Sequence, residues 1–263
     1  MKHEFEKIID GIYRLCIPFD GNIYTTVFAL LCEQGSIIVD SGSNEFDAIN
    51  YVIPAIKNLG VNPDWFICTH LHGDHYGGLK TLLMEFPRAN VGGYFKKEFG
   101  NEKGTNIFIE DEELFGRFKI LKLKGHSDDG LAIFDKNTEF FISGDGLQQY
   151  GLTRFGTSIS NLEEYKASVA KVRKLNPKAV VASHEYEPFG YCVKGTKDIN
   201  QMLLKCEEAI KKLEAFVRAN ETYDSDLLAR AYREQYPKLP KVPQNTFEAI
   251  INFRRGNHES NFS

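Results

Sequence analysis

The run Thr69-His70-Leu71-His72-Gly73-Asp74-His75 limits the folds open to this chain more than any other segment. It follows directly on an apolar strand signal, Trp65-Phe66-Ile67-Cys68. Three imidazoles and a carboxylate therefore stand together where a buried strand ends. Buried polar and charged side chains destabilise a fold unless they are partnered. A divalent metal satisfies all four together, and zinc takes both His nitrogen and Asp oxygen. In an extended segment His70 and His72 point to the same side and can bind one ion. Gly73 is expected to allow a sharp turn, beyond which Asp74 and His75 can reach a second ion. Gly77-Gly78 is expected to let the next helix pack close to the site. The chain must therefore deliver ligands at strand ends, where α/β proteins commonly place their chemistry.

The pattern around the run agrees. Strands are predicted over Ile8 to Ile17, Tyr24 to Cys32 and Ser36 to Asp40, with turns at Gly21-Asn22 and Glu33-Gln34-Gly35. Phe46, Ile49, Ile53, Ile56 and Leu59 recur at helical spacing, Gly60 stops the helix, and Pro54 is expected to kink or break it. Short strands are predicted at 90–95, 118–123, 131–134, 140–143 and 179–182, and a helix at 79–86. Ser160 is the expected N-cap of a further helix, with Glu163 completing a capping box. Gly100 to Glu113 is acidic, lacks a period, and is expected to be a loop or lid. Beyond Thr196 the residues Ile199, Leu203, Cys206, Ile210, Leu213 and Val217 mark a long amphipathic helix. Shorter helices fit Ser225 to Tyr236 and Phe247 to Arg254. The expected organisation is a catalytic domain over 1–195 with a C-terminal helical extension over 196–263 packed on it.

Three further residues with ligand chemistry follow expected strands: His126, Asp145 and His184. With the run, they account for five of the seven histidines. His3 and His258, near the termini, are expected to be solvated. Hydrophobic residues make up 42% and charged residues 26%, as in ordinary globular proteins and unlike disordered ones. The net charge is −4 and the Lys and Arg are dispersed, which disfavours nucleic acid as a partner. The start is charged rather than apolar, and no apolar run is long enough to span a bilayer. Five cysteines form neither a CxxC pair nor an even framework. A cytoplasmic setting, a small-molecule substrate and no membrane partner are the expectations, with room for a homodimer.

Taken in order, Asp40-Ser41-Gly42, Thr69-His70 to Gly78, Gly125-His126, Gly144-Asp145 and Ser183-His184 resemble the metallo-β-lactamase superfamily. The resemblance covers roughly Ile8 to Tyr191. It implies an α/β (α+β) fold, a four-layer αβ/βα sandwich with the metals at one edge and a C-terminal helical appendage. It implies that His70, His72 and His126 hold one metal, that Asp74, His75 and His184 hold a second, and that Asp145 bridges both. Asp40 would orient a ligand imidazole by a hydrogen bond. The cofactor would be two divalent ions, zinc ahead of manganese or iron. Ions about 3.5–4 Å apart can share a hydroxide that attacks a carbonyl or phosphoryl group. Asp74 would then accept or steer a proton.

Within the superfamily, true β-lactamases often have Cys where Asp145 stands, and flavodiiron proteins have Glu where His72 stands. His72 points here to zinc hydrolysis over oxygen reduction, and Asp145 points away from a true β-lactamase. The mononuclear-iron persulfide dioxygenases share the His run, as does the transfer-RNA maturation nuclease. An iron oxidoreductase and a phosphodiesterase or nuclease are therefore the alternatives. His184-Glu185-Tyr186 and the C-terminal helices are similar to those of glyoxalase II-like thioesterases, and the lactonases are another close group. The expected reaction is cleavage of a small ester, thioester or lactone. After His126 the chain reads Ser127-Asp128-Asp129-Gly130 where those families have Thr-Pro-Gly-His. The acidic pair is expected to stabilise the loop. Tyr24, Tyr76, Tyr150 and Tyr191 lie near the motif segments as candidate donors to a substrate oxyanion.

Overall fold

The computed structural model describes residues 4–99, 104–152 and 154–259, with side chains to 256. The chain forms two compact units, Met1–Lys122 with Leu131–Gly144, and Leu123–Gly130 with Asp145–Ser263.

The first unit contains a seven-stranded sheet in sequence order: β1 (Glu6–Ile9), β2 (Ile12–Asp20), β3 (Ile23–Cys32), β4 (Gly35–Val39), β5 (Trp65–Ile67), β6 (Asn90–Gly93) and β7 (Thr105–Ile107). Tight turns make β1 to β4 antiparallel. The longer connections that follow make β4 to β7 parallel. The single strand expected over Ile8 to Ile17 is interrupted at Gly11. Its φ of 77° is left-handed, and its carbonyl accepts the Leu31 N–H at 2.8 Å.

The first helical segment is also interrupted. It runs as α1 (Glu45–Asp47), a π-helical turn (Ala48–Val52) and α2 (Ile53–Leu59), closed by left-handed Gly60. Pro54 opens α2, and its missing N–H is tolerated there. The wide π turn shifts the helical phase. Phe46 and Ile49, expected on the apolar face, are therefore 61% and 49% exposed. Ala48, Val52, Ala55 and Ile56 are buried in their place, against Leu15, Val27, Ile38 and Phe66 of the sheet. Two short helices follow, α3 (Gly73–Tyr76) and α4 (Leu79–Glu85). The unit also contains β8 (Glu113–Leu114), β9 (Phe118–Lys122), β10 (Leu131–Asp135) and β11 (Phe140–Gly144), antiparallel in succession. The expected loop from Gly100 to Glu113 thus contains β7 and the first residue of β8. Its residues 100–103 lie outside the described residues, as do His3 and the side chain of His258.

The second unit contains α5 (Leu162–Leu175), β12 (Ala179–Tyr186), β13 (Gly190–Lys194), α6 (Thr196–Ala219), α7 (Ser225–Gln235) and α8 (Gln244–Glu259). The N-cap of α5 is Asn161, whose side chain accepts the Glu164 N–H at 3.1 Å. Ser160, the expected cap, instead donates its hydroxyl to Gly125 O at 3.2 Å. Along α6 the buried positions include Ile199, Leu203, Cys206, Ile210, Leu213 and Val217, the face expected from the spacing. Phe216 packs edge-on against Tyr232 of α7 and near Phe247 of α8. Among the described residues no helix is long and apolar enough to cross a membrane.

Candidate metal centre

In the first unit the ligand chemistry begins at the ends of two parallel neighbours. Because β4 and β5 run the same way, Asp40 and Thr69 emerge at the same sheet edge. The Asp40 N–H donates to Ile67 O at 2.8 Å, and its φ of 65° is left-handed, a strained setting for a side chain. That turn aims a buried carboxylate at the run. Asp40 accepts three hydrogen bonds: from the Thr69 N–H at 2.7 Å, the Thr69 hydroxyl at 3.0 Å and His75 Nδ1 at 2.8 Å. With its proton given to Asp40, the Thr69 oxygen accepts from His70 Nδ1 at 3.1 Å. One carboxylate thereby fixes two rings, directly and through a hydroxyl, and selects for both the tautomer with Nε2 unprotonated.

The rings converge. His70 lies 4.5 Å from His72 and 4.2 Å from His75 between centroids. Donor atoms of His70 and His72, of His70 and His75, and of Asp74 and His75 come within 4.8 Å of each other. His75 is fully buried, whereas His72 is exposed. Asp74 and His75 sit within α3, with the His75 N–H donating to His72 O at 3.0 Å. Gly73 opens this helix, and a Cβ there would meet nothing, so the turn does not require glycine as expected. Gly77 and Gly78 are different. A Cβ on either would run into the carbonyl oxygen of Ser43 or Ser41, so close packing does require them.

The second unit presents its own set. Asp145 is the residue after β11, and its Oδ2 lies 3.8 Å from His126 Nε2 and 3.4 Å from His184 Nε2. His184 is inside β12, which continues two residues beyond it, and not past the strand end as expected. His126 Nδ1 faces Ser158 O at 2.9 Å and the Gln148 amide nitrogen at 2.7 Å. Gln148 Oε1 accepts the Ser158 N–H at 2.6 Å. The loop after His126 closes on itself, with the Gly125 and Gly130 N–H groups both reaching Ser127 O, and Asp128 is exposed. Thr69, Gln148 and Ser158 were not among the sequence candidates. Thr69 had a signal, its place between a strand and the run. Gln148 had only its position three residues after Asp145.

Imidazole nitrogens mixed with carboxylate oxygens, with rings locked from behind, fit a divalent transition ion such as zinc and not an all-oxygen calcium or magnesium cage. The candidate tyrosines differ in setting. Tyr150 donates its hydroxyl to Glu208 on α6 at 2.7 Å. Burial first, then that carboxylate, pushes its pKa up to about 12. Tyr76 lies in α3 with the Lys97 ammonium 3.8 Å above its ring. Tyr24 and Tyr191 are half-buried on β3 and β13.

Comparison with known proteins places the fold and the family. A family model described as the metallo-beta-lactamase superfamily matches residues 21–184. Hydroxyacylglutathione hydrolase 1 of Vibrio vulnificus (strain YJ016) is 29% identical over 164 residues, 61% of this chain and 62% of that protein. The hydroxyacylglutathione hydrolase of Buchnera aphidicola subsp. Baizongia pistaciae (strain Bp) is 31% identical over 159 residues, 59% of each. The chain thus spans less than two thirds of the length of these relatives. Among solved structures, a metallo-beta-lactamase family protein from Thermus thermophilus has a TM-score of 0.69 at 17% identity, over 96% of this chain and 95% of that one. An archaeal superfamily protein from Sulfolobus tokodaii has a TM-score of 0.52 at 20% identity, over 69% of this chain and 79% of that one. These likenesses give the αβ/βα sandwich fold expected from the motifs. The family match takes in Asp40, the whole His70–His75 run, His126, Asp145 and His184, and the chain belongs to the metallo-beta-lactamase superfamily.

Proposed function

We propose that the protein is a hydrolase that cleaves a small ester, thioester or lactone with two divalent ions, zinc foremost. His70, His72 and His126 would hold one, Asp74, His75 and His184 the other, and Asp145 would be shared. The reading is supported chiefly by what lies behind the rings. Nδ1 of His70, His75 and His126 each faces a hydrogen-bond partner, respectively Thr69, Asp40 and Ser158, so each ring can offer Nε2 as a ligand atom. When bound, such ions supply Lewis acidity and a hydroxide nucleophile near neutral pH. Asp74, half-buried beside His75, takes up or steers the proton as the substrate bond breaks. The names of the two relatives support a thioester among the substrates. We further propose that residues 1–195 form the catalytic part and 196–263 the helical extension, and that the protein acts in the cytoplasm, where its five thiols would stay reduced.

The test is metal quantification followed by a panel of esters, thioesters, lactones and phosphodiesters. About two zinc or manganese ions per chain with ester or thioester turnover is expected. One iron with oxygen uptake overturns the hydrolase reading. Asp74→Ala should abolish hydrolysis with the circular dichroism spectrum unchanged, and full activity in that variant would remove Asp74 from its role.

A further inference from the structure

The second unit contains a cavity of about 380 Å³, whose walls include Tyr150, Ala209, Leu213, Tyr232, Leu239 and Val242. This is within the size range of small-molecule sites. Its wall surface is mainly apolar, with Thr157, Glu187 and Lys212 as the polar members of the lining. Ala209 and Leu213 are one helical turn apart on α6, Tyr232 comes from α7, and Leu239 and Val242 come from the segment leading to α8.

The cavity is braced. The Gly156 N–H donates to Lys241 O and the Lys241 N–H to Arg154 O, both at 2.9 Å, which pins the loop before α5 to the segment before α8. Tyr150, its hydroxyl engaged with Glu208, offers this space its ring. Leu239 remains 51% exposed at the rim, apolar surface that a bound apolar group would cover.

The cavity is also close along the chain to residues of the candidate centre. Tyr150 is five residues past Asp145, and Glu187, another wall residue, is three past His184. Backbone hydrogen bonds tie the two segments, from Glu187 N–H to Gly151 O at 3.1 Å and from Tyr150 N–H to Glu187 O at 3.4 Å. At roughly 3.3–3.6 Å per residue, no more than about 18 Å of chain separates Asp145 from the cavity wall. Lys212 and Glu187 of the lining could meet the charged ends of a polar tripeptide, but Ala209, Leu213, Leu239 and Val242 offer its amides no partner, at a cost in desolvation. A hydrocarbon chain brings no amides.

We propose that this cavity is an acyl-chain subsite, which takes the aliphatic part of the substrate's acyl group and makes the enzyme selective for medium-chain acyl esters or thioesters over hydroxyacylglutathione. The proposal rests on the hydrolase reading above. Its test has a binding arm that does not depend on turnover.

In the binding arm, octanoate and glutathione are titrated separately into the metal-loaded protein by calorimetry. Octanoate should bind, glutathione should not, and Ala209→Leu, which fills the cavity, should weaken octanoate at least tenfold. Leu239→Ser at the exposed rim should weaken it too, which covers the case that the first variant does not fold. In the turnover arm, kcat/KM for acetyl to octanoyl thioesters of one small thiol should rise about fourfold per methylene buried. Ala209→Leu should flatten that rise, and the remote exposed variant Met84→Ser should preserve it. Octanoate binding without any thioester turnover would fail the hydrolase reading and leave the cavity as an acyl site. Absence of octanoate binding, equal binding in both cavity variants, or glutathione binding lost in Ala209→Leu would overturn the subsite.

Discussion

Asp40 has two oxygens and three donors, and its backbone is held left-handed to meet them. Asp40→Asn is nearly isosteric but replaces one acceptor oxygen with an N–H. Thr69 N–H can keep the remaining oxygen. His75 Nδ1 must then accept rather than donate, which moves its proton to Nε2, the atom an ion needs. Metal affinity by chelator competition should fall roughly 10- to 100-fold. Unchanged affinity would show that Asp40 does not set the tautomer. Gln148 poses the opposite case. Its oxygen is committed to the Ser158 N–H, so its NH₂ faces the His126 nitrogen that must carry a proton if Nε2 is to bind an ion. A carboxylate accepts from both, so Gln148→Glu should tighten metal binding and Gln148→Ala should not. Weaker binding in the Glu variant would refute this reading. Asp40 was legible in the sequence through the resemblance, which gave the Asp40-Ser41-Gly42 strand end an orienting carboxylate. Gln148 was not, because its role depends on a loop that brings Ser158 back to His126, and no local period encodes that return.

At the scale of elements, apolar spacing was a good guide where a helix is regular and a poor one where it is not. The face of α6 followed its sequence pattern across six turns because nothing interrupts the 3.6-residue repeat. Phe46 and Ile49 pointed the other way because the π turn before Pro54 changes the phase, and periodicity cannot announce such a turn in advance. The start of α5 shows the same limit. Ser160 and Asn161 both have capping chemistry, and the choice was made by Gly125, whose carbonyl engages the Ser160 hydroxyl. Asn161→Ala should therefore cost about 1 kcal/mol of unfolding free energy in urea denaturation, as loss of a true N-cap does. A cost of a few tenths or less would return the cap to Ser160.

For the whole molecule, ligand-type side chains occur in both units, and an ion that binds only the folded chain adds to its stability. A free zinc concentration 100-fold above Kd should add about 2.7 kcal/mol relative to the chelated protein, read as a rise in the thermal midpoint. No difference between the two would argue against a folded-state metal site. The overall alternation of strands and helices was readable from the chain, as was the strand-end placement of most of the ligand chemistry. The interleaving of the units was not. It depends on Leu131–Gly144 returning to the first unit, where the Leu131 N–H donates to Thr69 O at 2.9 Å, a pairing distant in sequence. That return has a consequence for vectorial synthesis, which proceeds N-terminus first at about 5–20 residues per second. Asp40 and the histidines of the run belong to a unit whose last strand is translated with Gly144. His126, although already made, belongs to the other unit, along with Asp145, His184 and the helices through α8. On a ribosome, the nascent chain would hold one set of oriented imidazoles while the second set still awaits its scaffold, so, on the proposed two-ion reading, full metal binding should follow the synthesis of α8.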